Sequence, residues 1–283
     1  MTSIVVTELS SSALRTPPDS LGGLTFRSFS TRIMAATPPA RPRITVCMAA
    51  YNGSRYIEEQ LRSILDQLED GDEVIVVDDC STDDTASRVA SLDDARIRLV
   101  RAAANAGYVK TFERAISLAT GEVVFLSDQD DIWLPGRVDV MVEALDDAEL
   151  VVTNFSYFGG EIPTLQQARL SKRSSRHWLR NTFWIWVGTR PYYGCCMAFR
   201  HSLIPRLLPF PEYLSETHDQ WIGFVANADK SVAHLDFDSV ARRIHADNAT
   251  VKSARPMSTV LKARWMTARS VLEARKRSRR FAR

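Results

Sequence analysis

The chain has 283 residues, enough for one large domain or two small ones around a sizeable core. Its 36 Lys and Arg against 34 Asp and Glu leave a net charge of +2, which argues against a polyanionic partner such as nucleic acid. Four cysteines, at 47, 80, 195 and 196, match neither a paired zinc-ligand spacing nor a secreted disulfide framework, so a reducing cytosol is the expected compartment.

Residues 1–42 are rich in Ser, Thr, Ala and Pro without sustained periodicity and are expected to be disordered. Two origins fit them: an organellar transit peptide, or a true start at Met34. From residue 44 the pattern sharpens. ITVCMA (44–49) and DEVIVVDD (72–79) read as strands buried on both faces. Between them Ile57, Leu61, Ile64, Leu65 and Leu68 recur at helical spacing, and Gly71 follows as a stop. A helix is expected from Ser81 and Thr82, then a strand at 96–100, a helix at 108–119 and a strand at 122–127.

This alternation predicts an α/β fold with a mostly parallel sheet covered by helices, whose ligands bind beyond the carboxyl ends of the strands. After Trp133 the spacing predicts a helix through PGRVDVMVEALDD and a strand through ELVVTNFSYF, while 160–190 has no assignable pattern. GCCMAFRHSLIPRLLPFP reads as a strand then a helix, HDQWIGFVANA as a helix, and the segment from about Thr259 as a terminal helix. Lys252 to Arg283 holds eleven Lys and Arg against the single acid Glu273, a composition suited to an anionic membrane surface or another acidic partner. The longest apolar and aromatic cluster, Phe183 to Val187, is far short of the ~20 residues of a spanning helix, so any membrane contact is peripheral.

The stretch FLSDQDDIW puts Asp128, Asp130 and Asp131 at the predicted ligand edge, with Asp78 and Asp79 from the second strand. In an extended segment Asp128 and Asp130 share one face while Asp131 turns away. Convergent carboxylates suit a hard divalent cation completed by phosphate oxygens; a solvated turn is the alternative.

MAAYNGSRYIEEQLRSIL, EVIVVDDCSTDDT and NAGYVKTFERAISLATGEVVFLSDQDDIW together resemble the donor-binding half of the family 2 glycosyltransferases. The form SDQDDIW is most similar to bacterial rhamnosyltransferase-like members. The resemblance implies a GT-A fold: a Rossmann-like sheet in a donor half (43–145), a mixed-sheet acceptor half (146–250), and the basic segment 251–283 beyond. It further implies that Ala50, Tyr51 and Asn52 line a nucleotide pocket and that Asp79, with Asp78 beside it, contacts base or ribose. Asn105 and Gly107 match an N-x-G turn, and Lys110 reaches the diphosphate. Asp128 and Asp130 match the metal-binding DXD motif, with Asp130 the direct ligand of Mg2+ or Mn2+.

In SETHDQWIGFVA, Asp219 resembles the family's catalytic base, with His218 in place of the more usual Glu; as read from the segment alone it is equally a helix N-cap. ARRIHADN resembles a closing YRxHxxN stretch, in which His245 completes the metal shell or meets the diphosphate and Arg243 neutralises phosphate. Arg242 stands where Tyr is expected. An imidazole ligand makes manganese at least as suitable as magnesium.

The implied activity is an inverting, metal-dependent transfer of a sugar, such as L-rhamnose from dTDP-rhamnose, from a nucleotide-sugar donor to a glycan or lipid-linked saccharide. It would take place in the cytoplasm at the inner face of the cell membrane. Tyr192, Tyr193, Trp184 and Trp186 are candidates for stacking on sugars or for the core, and Cys195 and Cys196 for packing. A sugar-phosphate nucleotidyltransferase is the rival enzyme, although the Gly-rich basic loop it requires is not in AAYNGSRY. A basic membrane- or partner-binding protein is the rival without catalysis.

Overall fold

The computed structural model describes residues 41–160, 168–245 and 256–281. The expected disorder of the N-terminal segment therefore lies outside the described residues, except at Arg41 and Pro42. Arg41 is held by ion pairs to Asp72 (2.6 Å) and Glu69 (3.0 Å), and Asp72 in turn accepts the Ile44 amide.

Strands and helices alternate as β1 (Ile44–Ala50), α1 (Ile57–Leu65), β2 (Glu73–Asp78), α2 (Thr85–Ser91), β3 (Ile97–Arg101), α3 (Tyr108–Leu118) and β4 (Val123–Ser127). Then follow β5 (Ile132–Trp133), α4 (Arg137–Ala144), β6 (Leu150–Phe158), α5 (Trp178–Val187), β7 (Met197–Arg200), α6 (Ile204–Leu207), α7 (His218–Ala228), β8 (Val232–Arg243) and α8 (Met257–Phe281). One eight-stranded sheet takes the order β3-β2-β1-β4-β7-β6-β8-β5. Its first four strands are mutually parallel. β7 runs antiparallel to both β4 and β6, β8 is parallel to β6, and the short β5 is antiparallel to β8.

The two faces of the sheet divide the apolar residues by the strand period of two. Ile44, Val46 and Met48 of β1 meet Ile57, Leu61 and Ile64 of α1 on one side. Cys47 on the other side shares a cluster with Val109, Phe112, Ala115 and Ile116 of α3. Both faces are covered by helices, which is why the strands read as continuous apolar runs.

α2 begins three or four residues later than expected. The groups that were to cap it are engaged elsewhere: Ser81 Oγ accepts the Asn52 amide (2.9 Å) and the Thr82 amide donates to Asn52 Oδ1 (2.8 Å). The segment without assignable pattern contains α5. β8 and β5, for which no strand was expected, close the far edge of the sheet and bring residues 240–245 beside the acidic turn after β4.

Gly121, two residues before β4, packs directly on the backbone at the start of β1. A β-carbon there would lie 2.6 Å from the Ile44 carbonyl carbon and the Thr45 nitrogen, both backbone. Gly121→Ala is therefore expected to cost about 1–3 kcal/mol by overpacking. Gly71→Ala, where nothing lies within 4 Å, should change stability far less. Urea unfolding of the two variants side by side checks the contrast.

Candidate active site

The site forms at the carboxyl ends of β1, β2 and β4. Ala50 pairs with Asp78 in the sheet, and its carbonyl accepts the Asp79 amide. Past β1 the chain turns through Asn52, which has a left-handed φ of 48°, and past β2 through Cys80, with φ 64°. Asn52 bridges the two turns through the bonds to Ser81 and Thr82. Gln129 joins the third turn to the first, since its side-chain amide exchanges two 2.9 Å bonds with the Tyr51 backbone.

Asp79 is buried and accepts the amides of Ala106 (2.9 Å) and Gly107 (2.8 Å). It thus shapes the N-x-G turn, where Gly107 has φ 83°. Asp78 keeps a buried Oδ1 with no hydrogen-bond partner. Tyr51, Asn52 and Asn105 are exposed around this pocket. Lys110 pairs with Glu113 at 2.7 Å, one helical turn on, and lines a groove with Arg114, Ser117, Leu208 and Pro209.

Residues 128–131 form a bend rather than an extended segment, so the face-sharing rule used for them does not apply. Asp131 does not turn away. It is 3% exposed, and its carboxylate, that of Asp128 and the Cys195 thiol lie within 4.8 Å of one another. Asp131 Oδ1 accepts the Arg243 amide, and Oδ2 is buried without a partner. Burial, then the charges of its neighbours, pushes the Asp131 carboxyl up; burial and the charge of Asp130 do the same to Asp128. Asp130 faces His245 instead, with Oδ2 2.7 Å from Nε2, and the imidazole rests against the Tyr56 ring at 4.8 Å.

Cys195 is more than packing. Its thiol lies within 4.8 Å of the Asp128 and Asp131 carboxylates, while the Cys196 thiol, burial and the nearby acids hold it well above the ordinary thiol range. Tyr192, by contrast, is core, with its hydroxyl between His234 and Asn227.

Arg243 is committed elsewhere than expected. Its guanidinium bonds the Asp130 carbonyl (3.0 Å) and Glu59 (2.6 Å) and lies over Tyr56 and Phe158. It fixes the acidic turn rather than reaching forward to a phosphate. Arg242, which stood out only as a departure from the family pattern, interacts electrostatically with Asp128 and Asp131.

Asp219 approaches from the other half of the chain. It lies in the first turn of α7 and is not its N-cap, which is Thr217. Thr217 has φ 63°, a left-handed conformation that is costly for a β-branched residue. Asp219 Oδ1 accepts the Gln220 amide at 2.7 Å. Burial raises its carboxyl to about 7, with the charge of Asp128 adding to the rise and Arg242 opposing it.

A family model described as glycosyl transferase family 2 matches residues 45–208. The chain belongs to that family. Among its relatives, the succinoglycan biosynthesis protein ExoO of Rhizobium meliloti (strain 1021) is 34% identical over 143 residues, 48% of this chain and 41% of the relative. The putative teichuronic acid biosynthesis glycosyltransferase TuaG of Bacillus subtilis (strain 168) is 34% identical over 105 residues, 36% of this chain and 42% of the relative. The chain thus spans about two fifths of the length of these curated relatives. A crystal structure of S. aureus TarS 1-349 in complex with UDP-GlcNAc superposes with a TM-score of 0.64 at 21% identity, covering 81% of this chain and 66% of that one. With the mixed sheet described above, this likeness shows a GT-A type α/β fold.

His218, which replaces Glu in the family's usual pair, is buried and stacks on Phe112 with ring centroids 4.3 Å apart. Neither ring nitrogen has a hydrogen-bond partner, and burial lowers its pKa to about 3. The unfolded chain therefore takes up a proton near pH 6.5 that the folded chain refuses, so this residue's contribution to stability is lost as pH falls. His218→Phe is expected to gain stability relative to the parent by up to about 1.4 kcal/mol per pH unit below pH 6.5. Chemical denaturation at pH 7, 6 and 5 measures the difference.

Proposed function

We propose that the chain is an inverting glycosyltransferase that moves a sugar from a nucleoside-diphosphate donor to a hydroxyl of a glycan or lipid-linked saccharide. The observation that carries this reading is geometric: Asp128, Asp131 and Cys195 converge within 4.8 Å, and α7, which carries Asp219, packs beside them, with His218 against Gly194, the neighbour of Cys195. An acidic cluster at the donor edge and a carboxylate across from it are what an in-line displacement needs.

The donor pocket is assigned to Ala50, Tyr51, Asn52, Asp78, Asp79, Asn105 and Gly107, with Asp78 the better-placed partner for base or ribose because Asp79 already serves two amides. A divalent cation fits the residues present: Asp128, Asp130 and Asp131 supply oxygen ligands, Asp131 Oδ2 is buried without a partner, and His245 stands beside Asp130. Such a cation, when bound, offsets charge on the diphosphate as a Lewis acid.

Asp219 takes the proton of the acceptor hydroxyl as that oxygen bonds to the anomeric carbon and the bond from that carbon to the diphosphate oxygen breaks. A base that titrates near the working pH suits this task. The finer reading, L-rhamnose from dTDP-rhamnose, rests on the SDQDDIW likeness. UDP-linked sugars belong in the same donor screen, because the TarS structure holds UDP-GlcNAc.

Asp219→Asn is expected to lower kcat by about 100- to 10,000-fold while donor binding is retained. With the pKa near 7, kcat/KM should rise tenfold per pH unit below about pH 7 and then level, because the unprotonated carboxylate is the active form. Nucleoside diphosphate release, measured against pH and with and without chelator, tests both base and cation. Undiminished turnover in Asp219→Asn refutes the mechanism.

A second surface supports a place for the reaction at a membrane. α8 buries Met266, Thr267, Ser270 and Ala274 and packs on α7, with Arg277 over the Trp221 ring. On the opposite side Met257, Leu261, Trp265 and Leu272 are exposed at helical spacing, Trp265 by 70%, and Arg275, Lys276 and Arg279 continue the stripe. The neighbouring α5 also exposes Leu179, Phe183 and Trp184. An apolar stripe running into a basic one suits an anionic lipid interface. No helix among the described residues is long and apolar enough to cross a membrane. Co-sedimentation with phosphatidylglycerol vesicles should exceed that with phosphatidylcholine vesicles by about tenfold or more, and Leu261→Ser with Trp265→Ser should abolish the excess.

A further inference from the structure

The last residues of β8 point to opposite sides of their strand. Arg243 turns to Glu59 and Tyr56, whereas Arg242 turns inward over the rings of Tyr193 (4.5 Å) and Phe155 (5.0 Å). Stacking of this kind orients a guanidinium and leaves its in-plane N–H groups available. Among the described residues the Arg242 side chain makes no hydrogen bond and no ion pair within 4 Å, and its Nε is buried without a partner. It lies beside Tyr157 on the adjoining strand and over Tyr193, two residues before Cys195; the charges of Asp131 and Asp128 favour its own, and it opposes the rise of the Asp219 carboxyl.

These carboxylates balance its charge at a distance but do not take up its donors. A desolvated N–H without an acceptor costs about 1–3 kcal/mol, more on a charged group, so a side chain held in this way is poised for an acceptor that arrives. Its planar fork matches the paired oxygens of a phosphate or carboxylate. It sits in the same space that the proposed function gives to the transferred sugar and its leaving group.

We infer that Arg242 is the oxyanion-binding residue of the transfer cavity, donating its fork to a charged oxygen of the substrate. The inference rests on the glycosyltransferase reading and adds to it a residue that the family pattern, with Tyr at this place, does not supply. Two sources present this chemistry: the donor's diphosphate, or the carboxylate of an acidic sugar. The diphosphate is the expected one. A leaving group that gains negative charge beside three carboxylates requires a fixed cation on the protein as well as any bound metal.

The test is calorimetric binding to the full chain and to Arg242→Met, Arg242→Lys and Arg242→Tyr, with a melting curve for each. Arg242→Tyr restores the residue of the family pattern and keeps the test informative should Arg242→Met fail to fold. The probes are UDP, dTDP, uridine and thymidine, with and without Mn2+, then UDP-glucose and UDP-glucuronate. Loss of about tenfold or more in diphosphate affinity, with nucleoside affinity unchanged, supports the inference and identifies the diphosphate. A loss confined to UDP-glucuronate supports it and identifies the sugar carboxylate instead. Equal binding of every probe by parent and variants overturns it. A parent chain that binds no nucleotide overturns the proposed function and this inference together.

Discussion

The organising constraint is that Asp128, Asp131 and the Cys195 thiol are drawn within 4.8 Å of one another, with α7 bringing Asp219 from the second half of the fold. Water would separate such charges cheaply; here burial raises the Asp128, Asp131 and Asp219 carboxyls, and the charge of Asp130 adds to the rise of the first two and that of Asp128 to the last two. The fold tolerates this because it grips the acidic turn mainly by its backbone and flanks. Gln60 bonds Ser127 Oγ and the Asp128 carbonyl, Gln129 pairs with the Tyr51 backbone, and Arg243 bonds the Asp130 carbonyl. Of the acids in the turn, Asp131 spends one oxygen on the Arg243 amide, and its other oxygen keeps its capacity. A scaffold that fixes main chain and leaves carboxylate oxygens unspent is arranged around something that will use them.

The second half of the fold delivers the opposing carboxylate under strain. Thr217 sits in a left-handed conformation one residue before α7, and its amide leans on the Tyr108 hydroxyl at 3.3 Å. α7 is buried over nearly its whole length, so its first turn has little freedom to move. His218 is pressed against Phe112 of α3, which belongs to the alternating first half of the fold. The histidine that replaces the family's usual Glu thus acts as an apolar wedge between the halves, and its neutral state is enforced by burial rather than by a bonded partner.

The alternating first half was legible in the sequence because its strands are covered on both faces and its helices on one, which gives clean periods. The positions of Asp78, Asp79, Asp128 and Asp219 followed from that and from the resemblance. Three things did not follow. Asp131 was misplaced because a rule for extended chain was applied to a bend. The Lys110 to Glu113 pair was present in the spacing, one helical turn apart, and was not read. β8 escaped notice because its pairing with β6 slips at Asn154, which breaks the alternation of VAHLDFDSVARR and leaves no clean period to read.

That slip also bears on the chemistry. A shift of one residue in a strand exchanges its two faces, so the register of β8 determines which of two adjacent arginines clamps the turn and which enters the cavity. The register places Arg243 opposite Phe158 and Arg242 opposite Tyr157. A family pattern read as letters assigns the phosphate to the arginine that matches; read through the pleat, the matching residue is already bound to Glu59 and the departing one holds the inward position. The identity of a motif residue and the face it occupies are separate pieces of information, and in this chain the second follows from the extra residues that β8 inserts between His234 and Val240 as much as from the motif itself.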